Sequence, residues 1–230
     1  MNKNLISIIM SVYNGENFVE KCIDSIAKQT FKNFEFLILD DGSTDNTYEL
    51  LKKKKFNDDR IKIFRNENNL GLTKSLNKLI NKSKGNIIAR QDADDLSNPK
   101  RFEKQIDYIE KYNLDFCTTR AKIINSKRVI PRASYYLPTK LIINLKNPFV
   151  HGTLLIKKSV ILEVGIYDEN FYFSQDYKLF KDLLTENYKF KILNYPLYEL
   201  NMIDNISSKY SEEQKYYAEC VKKGKTPKKS

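Results

Sequence analysis

The sequence has no tryptophan, one histidine, three cysteines, seven glycines and six prolines in 230 residues. Cys22, Cys117 and Cys220 are odd in number and far apart. Neither a disulfide framework nor a cysteine-based zinc site is expected, and a reducing cytosol is the simpler setting. So little glycine and proline excludes fibrous or linker-like segments. No apolar run approaches the roughly 18 residues of a membrane span. Met1-Asn2-Lys3-Asn4 leads straight into a short strand-like segment, so no standard secretion signal is expected. No Gly-Lys-Ser/Thr loop and no Gly-x-Gly-x-x-Gly turn follows the first apolar run, which argues against an ATPase and a dinucleotide dehydrogenase.

What is present is the composition of an ordinary globular chain, 41% hydrophobic and 30% charged. A chain of this length buries about 70% of its unfolded surface and needs no staple. The net charge of +11 favours anionic partners: nucleic acid, an anionic membrane or a phosphorylated substrate. Most of the cations are lysine, and asparagine and isoleucine are also abundant, so a compositional bias of the source genome explains the charge equally well.

The apolar pattern predicts strand followed by helix four times over residues 5–110. Strands are expected at 5–12, 34–39, 61–64 and 87–89. Helices carry Val19, Cys22, Ile23 and Ile26, then Leu50 and Leu51 behind a Ser43 or Thr44 cap, then Leu72, Leu76, Leu79 and Ile80. A fourth, opened by Ser97 and Pro99, carries Phe102, Ile106 and Ile109. This alternation reads as an α/β fold: a doubly wound, mostly parallel sheet in three layers. The second half is less regular, with strands over 115–125, 153–156 and 189–193, a short helix over 139–146 and an amphipathic helix over 175–188. No linker interrupts the chain, so one compact domain is expected, with a lysine-rich helix fraying into a tail from residue 211.

Ligands of open α/β sheets bind beyond the carboxyl ends of the strands. Tyr13-Asn14-Gly15, Asp40-Asp41 and Asp92-Ala93-Asp94-Asp95 all fall at such ends. A turn with a helix cap explains Ser43 without any ligand, but explains two adjacent aspartates less well. Residues two apart on an extended segment face the same way, about 6.6 Å apart. Asp92 and Asp94 could thus divide a ribose hydroxyl and a divalent ion between them. So few hard oxygen ligands suit Mg²⁺ or Mn²⁺ shared with a diphosphate.

Taken in order, Ser11-Val12-Tyr13-Asn14-Gly15, Ser25 to Phe31, Asp40 to Asp45, Asn69-Leu70-Gly71-Leu72 and Asp92 to Asp95 resemble the signature of glycosyltransferase family 2. Asn147 to Thr153, Gly165-Ile166-Tyr167-Asp168 and Ser174-Gln175-Asp176-Tyr177 resemble its acceptor-side segments. The resemblance implies a single GT-A domain over residues 1–210, with the nucleotide-sugar half at about 1–110 and the acceptor half at about 111–210. It implies a UDP-sugar donor, a Mn²⁺ or Mg²⁺ cofactor and inversion at the anomeric carbon. Val12, Tyr13 and Glu16 would line the base pocket, and Asp40 or Asp41 would hydrogen-bond the base. Lys74 stands where the family often has a basic residue. Asp92 would meet the ribose or the sugar, and Asp94 would bind the metal with Asp95 beside it. Asp176 would be the catalytic base, with Gln175, Asp95 and His151 touching substrate or acceptor. Without the resemblance, Asp176 reads as a charge favoured by a helix N-terminus.

The family's usual Tyr-Arg-x-His-x-x-x-x-Ser segment is replaced by Tyr198 to Ser207, which has neither Arg nor His. The resemblance therefore carries no phosphate or metal contact from that segment. The expected function is transfer of a hexose or N-acetylhexosamine to a hydroxyl of a glycan or lipid-linked glycan, for capsule, O-antigen or lipooligosaccharide. The alternative is a catalytically weak or dead relative acting as a scaffold. A nucleic-acid partner is not expected, because the lysines are scattered and the strand-end edge is acidic. The protein is expected in the cytoplasm. Tyr216, Tyr217, Cys220 and Val221 recur at helical spacing beside six lysines between Gln214 and Ser230. That end reads either as a solvated tail or as a contact with an anionic membrane.

Overall fold

The computed structural model describes residues 4–202 and 210–228. Strand β1 (Ile6–Val12) is buried on both faces, as its unbroken apolar run demands. Ile6, Ile8, Met10 and Val12 point into one core and Ile9 into the other. Strand β2 (Phe34–Asp40) divides in the same way, Phe34, Phe36 and Ile38 against Leu37 and Leu39. The first core is closed by α1 (Val19–Ala27), α2 (Thr47–Asn57) and α4 (Arg101–Tyr112). The second is closed by α3 (Leu72–Lys82), α6 (Lys158–Glu163), α7 (Gln175–Thr185) and α8 (Ser211–Lys223). Three layers result, as the sequence predicts.

The remaining strands are β3 (Ile61–Arg65), β4 (Ile87–Arg90), β5 (Leu96–Ser97), β6 (Phe116–Ile123), β7 (Val129–Ile130), β8 (Leu155–Lys157) and β9 (Phe190–Leu200), and a single-turn helix α5 spans Thr139–Ile142. The sheet order is β3-β2-β1-β4-β8-β6-β9-β5, with β7 hairpinned onto β6. Strands β3, β2, β1 and β4 are mutually parallel. Strand β8 runs against both β4 and β6, so β6 points the same way as β4, and β9 pairs parallel with β6. The carboxyl ends of β1, β2, β4, β6 and β9 therefore share one edge. The order reverses beside β1, which opens the ligand crevice of such sheets between the β1 and β4 loops.

Several local expectations change. Ser43 and Thr44 do not cap α2: Asp45 Oδ1 accepts from Thr47 N at 3.0 Å, and Ser43 Oγ accepts from Asn14 N at 2.9 Å. Helix α4 begins at Arg101, because Ser97 is drawn into β5. Strand β9 runs past Leu193 through Pro196, where a register shift against Thr119 and Arg120 accommodates a residue with no N–H to donate. Cys220 and Val221 of α8 lie in the core with Tyr217 beside them, so the apolar stripe of that helix faces inward. No helix among the described residues is long and apolar enough to cross a membrane.

Glu35 is a buried carboxylate on β2 that accepts from Ser7 Oγ and Lys84 N, both at 2.6 Å, and pairs with Lys62. Burial pushes its carboxyl up, but Lys62, Ser7 and Lys84 together hold it below its ordinary value of 4.5. A depressed folded-state value stabilises the fold above the unfolded value and loses that stabilisation as acid protonates the group. Glu35→Gln is expected to cost about 1–3 kcal/mol near neutral pH. In urea unfolding repeated at falling pH, the difference from wild type should shrink below 4.5.

Candidate active site

The loops after β1 and β2 are stitched together. Asn14, at φ 50°, accepts from Thr44 N through Oδ1. Gly15 N donates to Thr47 Oγ1 at 2.8 Å, and Asn46 N donates to a Glu16 carboxylate oxygen at 3.0 Å. This leaves Tyr13 standing 49% exposed over buried Val12 at the mouth of the crevice. Gly42 is required at φ 76°, where a Cβ would fall 2.7 Å from the Asn68 backbone.

The tandem aspartates after β2 do not present free oxygens. Asp40 is fully buried, accepts from Ser43 N and has Arg65 Nε 2.9 Å from its Oδ2. Asp41 accepts from Asn66 Nδ2 at 2.6 Å, Leu70 N at 3.0 Å and Gly71 N at 2.9 Å. Both therefore hold loops on this edge. Asp41 docks the start of α3 onto this edge, and Lys74 stands exposed on the first turn of that helix.

The acidic loop after β4 sits on buried cations. Arg101 is fully buried and donates to Gln91 Oε1, Ser97 Oγ, Gln105 Oε1 and the Arg90 carbonyl at 2.8–3.1 Å. Burial pulls its guanidinium down to about 10, which leaves it charged near neutral pH. Arg90, 1% exposed, pairs with Asp92 Oδ1. Gln91 Nε2 donates to the carbonyls of Asp92 and Asp95. Asp92 N donates to Tyr198 Oη at 3.0 Å, and a Cβ on Gly152 would lie 2.6 Å from Asp92 Oδ2. Only glycine allows that approach.

These supports separate the three loop carboxylates. Asp92 is half-buried and held by Arg90. Asp95 is 1% exposed and accepts from Asn201 N at 2.7 Å; burial, then the charges of Asp92 and Asp94, push its carboxyl up to about 9. It braces the loop against the end of β9. Asp94 receives no side-chain hydrogen bond among the described residues, and burial followed by the Asp92 charge raises it to about 6. A carboxylate crowded by a like charge and lacking a donor suits a divalent cation, and its hard oxygen suits Mg²⁺ or Mn²⁺. No group of three or more His, Cys, Asp or Glu side chains disposed to hold a metal occurs among the described residues. Such an ion would need ligands from a diphosphate as well.

The facing wall comes from the second half of the chain. Asp176 lies in the first turn of α7 and accepts from Asn147 Nδ2 at 2.8 Å, while Asn147 Oδ1 accepts from Phe149 N. Gln175 beside it is buried. His151 Nε2 lies 2.7 Å from Tyr167 Oη. Asn77 clamps Tyr167 in place, accepting from its N–H and donating to its carbonyl. The charges of Arg90, Asp92 and Asp176 all act on His151, so this ring lies between the acidic loop and α7. Of the residues singled out from the sequence, Asp92 lies against Gly152, next to His151, and Asp176 is held by Asn147 of the same segment, with Asp94 on the loop of Asp92. Sequence reading missed Arg65, Arg90, Arg101, Asn147 and Tyr198. The segment Asn147 to Thr153 was visible, but the contact of Asn147 with a residue 29 positions away was not.

Burial, then the neighbouring Arg90 charge, lowers His151 to about 4. Between that value and the ordinary 6.5 the unfolded chain binds a proton that the folded chain does not, so stability should rise with pH across this window. Because His151 is the only histidine, its imidazole proton resonance is unambiguous in NMR. A midpoint near 4 is expected, and one near 6.5 would remove the burial assignment.

Known proteins share this architecture. A UDP-GlcNAc complex of TarS 1-349 from S. aureus superposes with a TM-score of 0.77 at 21% identity, covering 89% of this chain and 60% of that one. The O-antigen biosynthesis glycosyltransferase WbnJ of Escherichia coli is 37% identical over 190 residues, which cover 80% of this chain and 73% of WbnJ. The UDP-Glc:alpha-D-GlcNAc-diphosphoundecaprenol beta-1,3-glucosyltransferase WfgD of Escherichia coli is 32% identical over 189 residues, 81% of this chain and 72% of WfgD. Residues 7–171, the segment that builds the crevice and most of both its walls, match the Glycosyl transferase family 2 model, and the chain belongs to that family.

Proposed function

We propose that the chain transfers one hexose or N-acetylhexosamine from a UDP-sugar to a hydroxyl of a surface glycan, such as capsule, O-antigen or lipooligosaccharide, carried on a lipid-linked acceptor. The observation that carries this reading is that one segment, residues 147–153, touches both the acidic loop, through Gly152 against Asp92, and α7, through Asn147 on Asp176. The names of WfgD, WbnJ and the TarS complex support a UDP-sugar and a surface-glycan acceptor.

In this reading Tyr13 and Val12 receive the base, and Asp92, oriented by Arg90, meets a donor hydroxyl. Asp94 is the residue that would hold Mn²⁺ or Mg²⁺. When bound with the diphosphate, such an ion supplies charge neutralisation for departing UDP. Asp176 takes the proton of the acceptor hydroxyl as its oxygen forms a bond to the anomeric carbon, from the side opposite the breaking bond to UDP. That geometry inverts the anomeric centre and needs one base. Asn147 keeps the Asp176 carboxylate aimed. Neutral His151, hydrogen-bonded to Tyr167, offers substrate contact without proton transfer. The basic C-terminal segment is assigned a peripheral, charge-driven contact with an anionic leaflet, since Tyr217, Cys220 and Val221 are already used by the core.

Asp176→Asn keeps shape and removes basicity. Turnover should fall on the order of 10²-fold or more, with UDP-sugar affinity within a few-fold of wild type. Asp94→Asn should abolish the dependence of UDP binding on Mn²⁺ while the melting temperature of the free protein is preserved. A thermal-shift panel of UDP- and GDP-sugars with Mn²⁺ reads the donor, because a ligand selective for the folded state raises its melting point. A scaffold without activity would show a donor shift and no turnover at all.

A further inference from the structure

The positive charge of this chain is not evenly spread. Between Asp115 and Glu163 there are nine lysines and arginines and no acidic residue, whereas the whole chain carries a net charge of only +11. Lys157 of that stretch is paired with Asp115, and Lys158 donates to the Ser83 carbonyl. Four others, Arg120, Lys127, Arg128 and Arg132, gather around one cavity of about 460 Å³ with Tyr136 at its rim.

The backbone explains the gathering. A tight turn at Asn125, φ 58°, folds β7 back onto β6 with Ala121 opposite Ile130. Lys127 and Arg128 thus return to the strand that carries Arg120. The chain then turns at Pro131 into a 3₁₀ turn at Ala133–Tyr136, which adds Arg132 and Tyr136. Arg120 is fixed in advance: it donates to the Pro131 carbonyl and Asn194 Oδ1 and stacks on the Tyr135 ring. Lys127, Arg128 and Arg132 are exposed, and no carboxylate lies within ion-pair distance of them among the described residues. Four cations around one hollow repel each other unless an anion joins them, and guanidinium forks match phosphate oxygens.

The cavity also lies in a useful place. Because β6 and β4 are both antiparallel to β8, the end of β6 opens on the same edge as the acidic loop. With one strand between them, the axes of β4 and β6 are about 10 Å apart. That sideways separation is on the scale of two sugar rings. We propose that this cavity is an acceptor subsite that holds a phosphate or diphosphate group one or two sugars away from the hydroxyl being glycosylated. The proposal rests on the transferase reading above, and explains why a chain with an acidic donor edge is so basic on its acceptor side.

The test is calorimetric titration of inorganic pyrophosphate in EDTA into three proteins. These are the wild type, the cavity variant Lys127→Gln/Arg128→Gln/Arg132→Gln, and the charge-matched variant Lys52→Gln/Lys53→Gln/Lys55→Gln on α2. The cavity variant should bind about tenfold or more weakly, while the charge-matched one stays within about twofold. Equal weakening in both, or none in the cavity variant, would overturn the subsite. All three cavity positions are exposed, and single Lys127→Gln and Arg132→Gln variants decide the matter if the triple one fails to fold. Farnesyl diphosphate and glycerophosphoglycerol then separate the sources. Tighter binding of the first assigns a lipid-linked diphosphate, and of the second a phosphodiester in the glycan; binding of neither overturns the assignment. UDP binding to wild type with Mn²⁺ is measured separately. Its absence would sink the UDP-sugar reading, while UDP binding with unaltered pyrophosphate affinity in the cavity variant would sink the subsite alone.

Discussion

Everything at the working edge depends on the buried guanidinium of Arg101. Its four hydrogen bonds tie the last residue of β4, the Gln91 side chain, the end of β5 and the body of α4 into one unit. A buried cation is costly unless all its donors are met, and once they are met it is equally costly to disturb. Gln91 then reaches back under the loop, Arg90 takes Asp92, and Tyr198 accepts from the Asp92 backbone. The loop is therefore a rigid shelf on which three carboxylates occupy three different environments. Without that shelf, like charges so close together would splay into solvent.

Rigidity on one wall is matched on the other. Asn77 holds Tyr167, Tyr167 meets His151, and Asn147 holds Asp176. Each is a local hydrogen bond between segments distant in the chain. The result is a crevice whose first wall comes from residues before about 100 and whose second comes from residues after about 145. Preorganisation of this kind fixes side chains before any ligand arrives. The parallel alignment of β4, β6 and β9 extends the same edge sideways. The acidic loop after β4 and the cations around the β6–β7 turn can then stand side by side without cancelling.

Carboxylates are prominent in a sequence, but their roles are not. Asp40-Asp41 and Asp94-Asp95 are each adjacent pairs at a strand end, alike on paper. In the folded chain Asp40, Asp41 and Asp95 are braces, and Asp94 alone has no side-chain donor among the described residues. The difference lies in what each meets: Arg65 from the edge strand, the start of α3, the end of β9. The C-terminal helix gives the same lesson. Its periodicity of Tyr217, Cys220 and Val221 is consistent with a surface stripe or with a core contact, and packing in the second core decided for the core.

The sequence by itself determined the elements and their order. Apolar runs of strand length and helical repeats depend on local solvation, and the alternation of the two leaves a layered sheet as the way to bury both faces. It also determined that acidic clusters fall at strand ends, which is a matter of position along the chain. Only the tertiary structure decided which carboxylates remain open, which cations lie beneath them, and where the surplus positive charge collects. Those outcomes depend on partners up to 106 residues apart, such as Asp92 with Tyr198 and Asp95 with Asn201. They depend too on a strand register that puts the ends of β4 and β6 on one edge with β8 between. Pairing across such distances is set by the sum of packing over the whole sheet, and no short window of residues contains it.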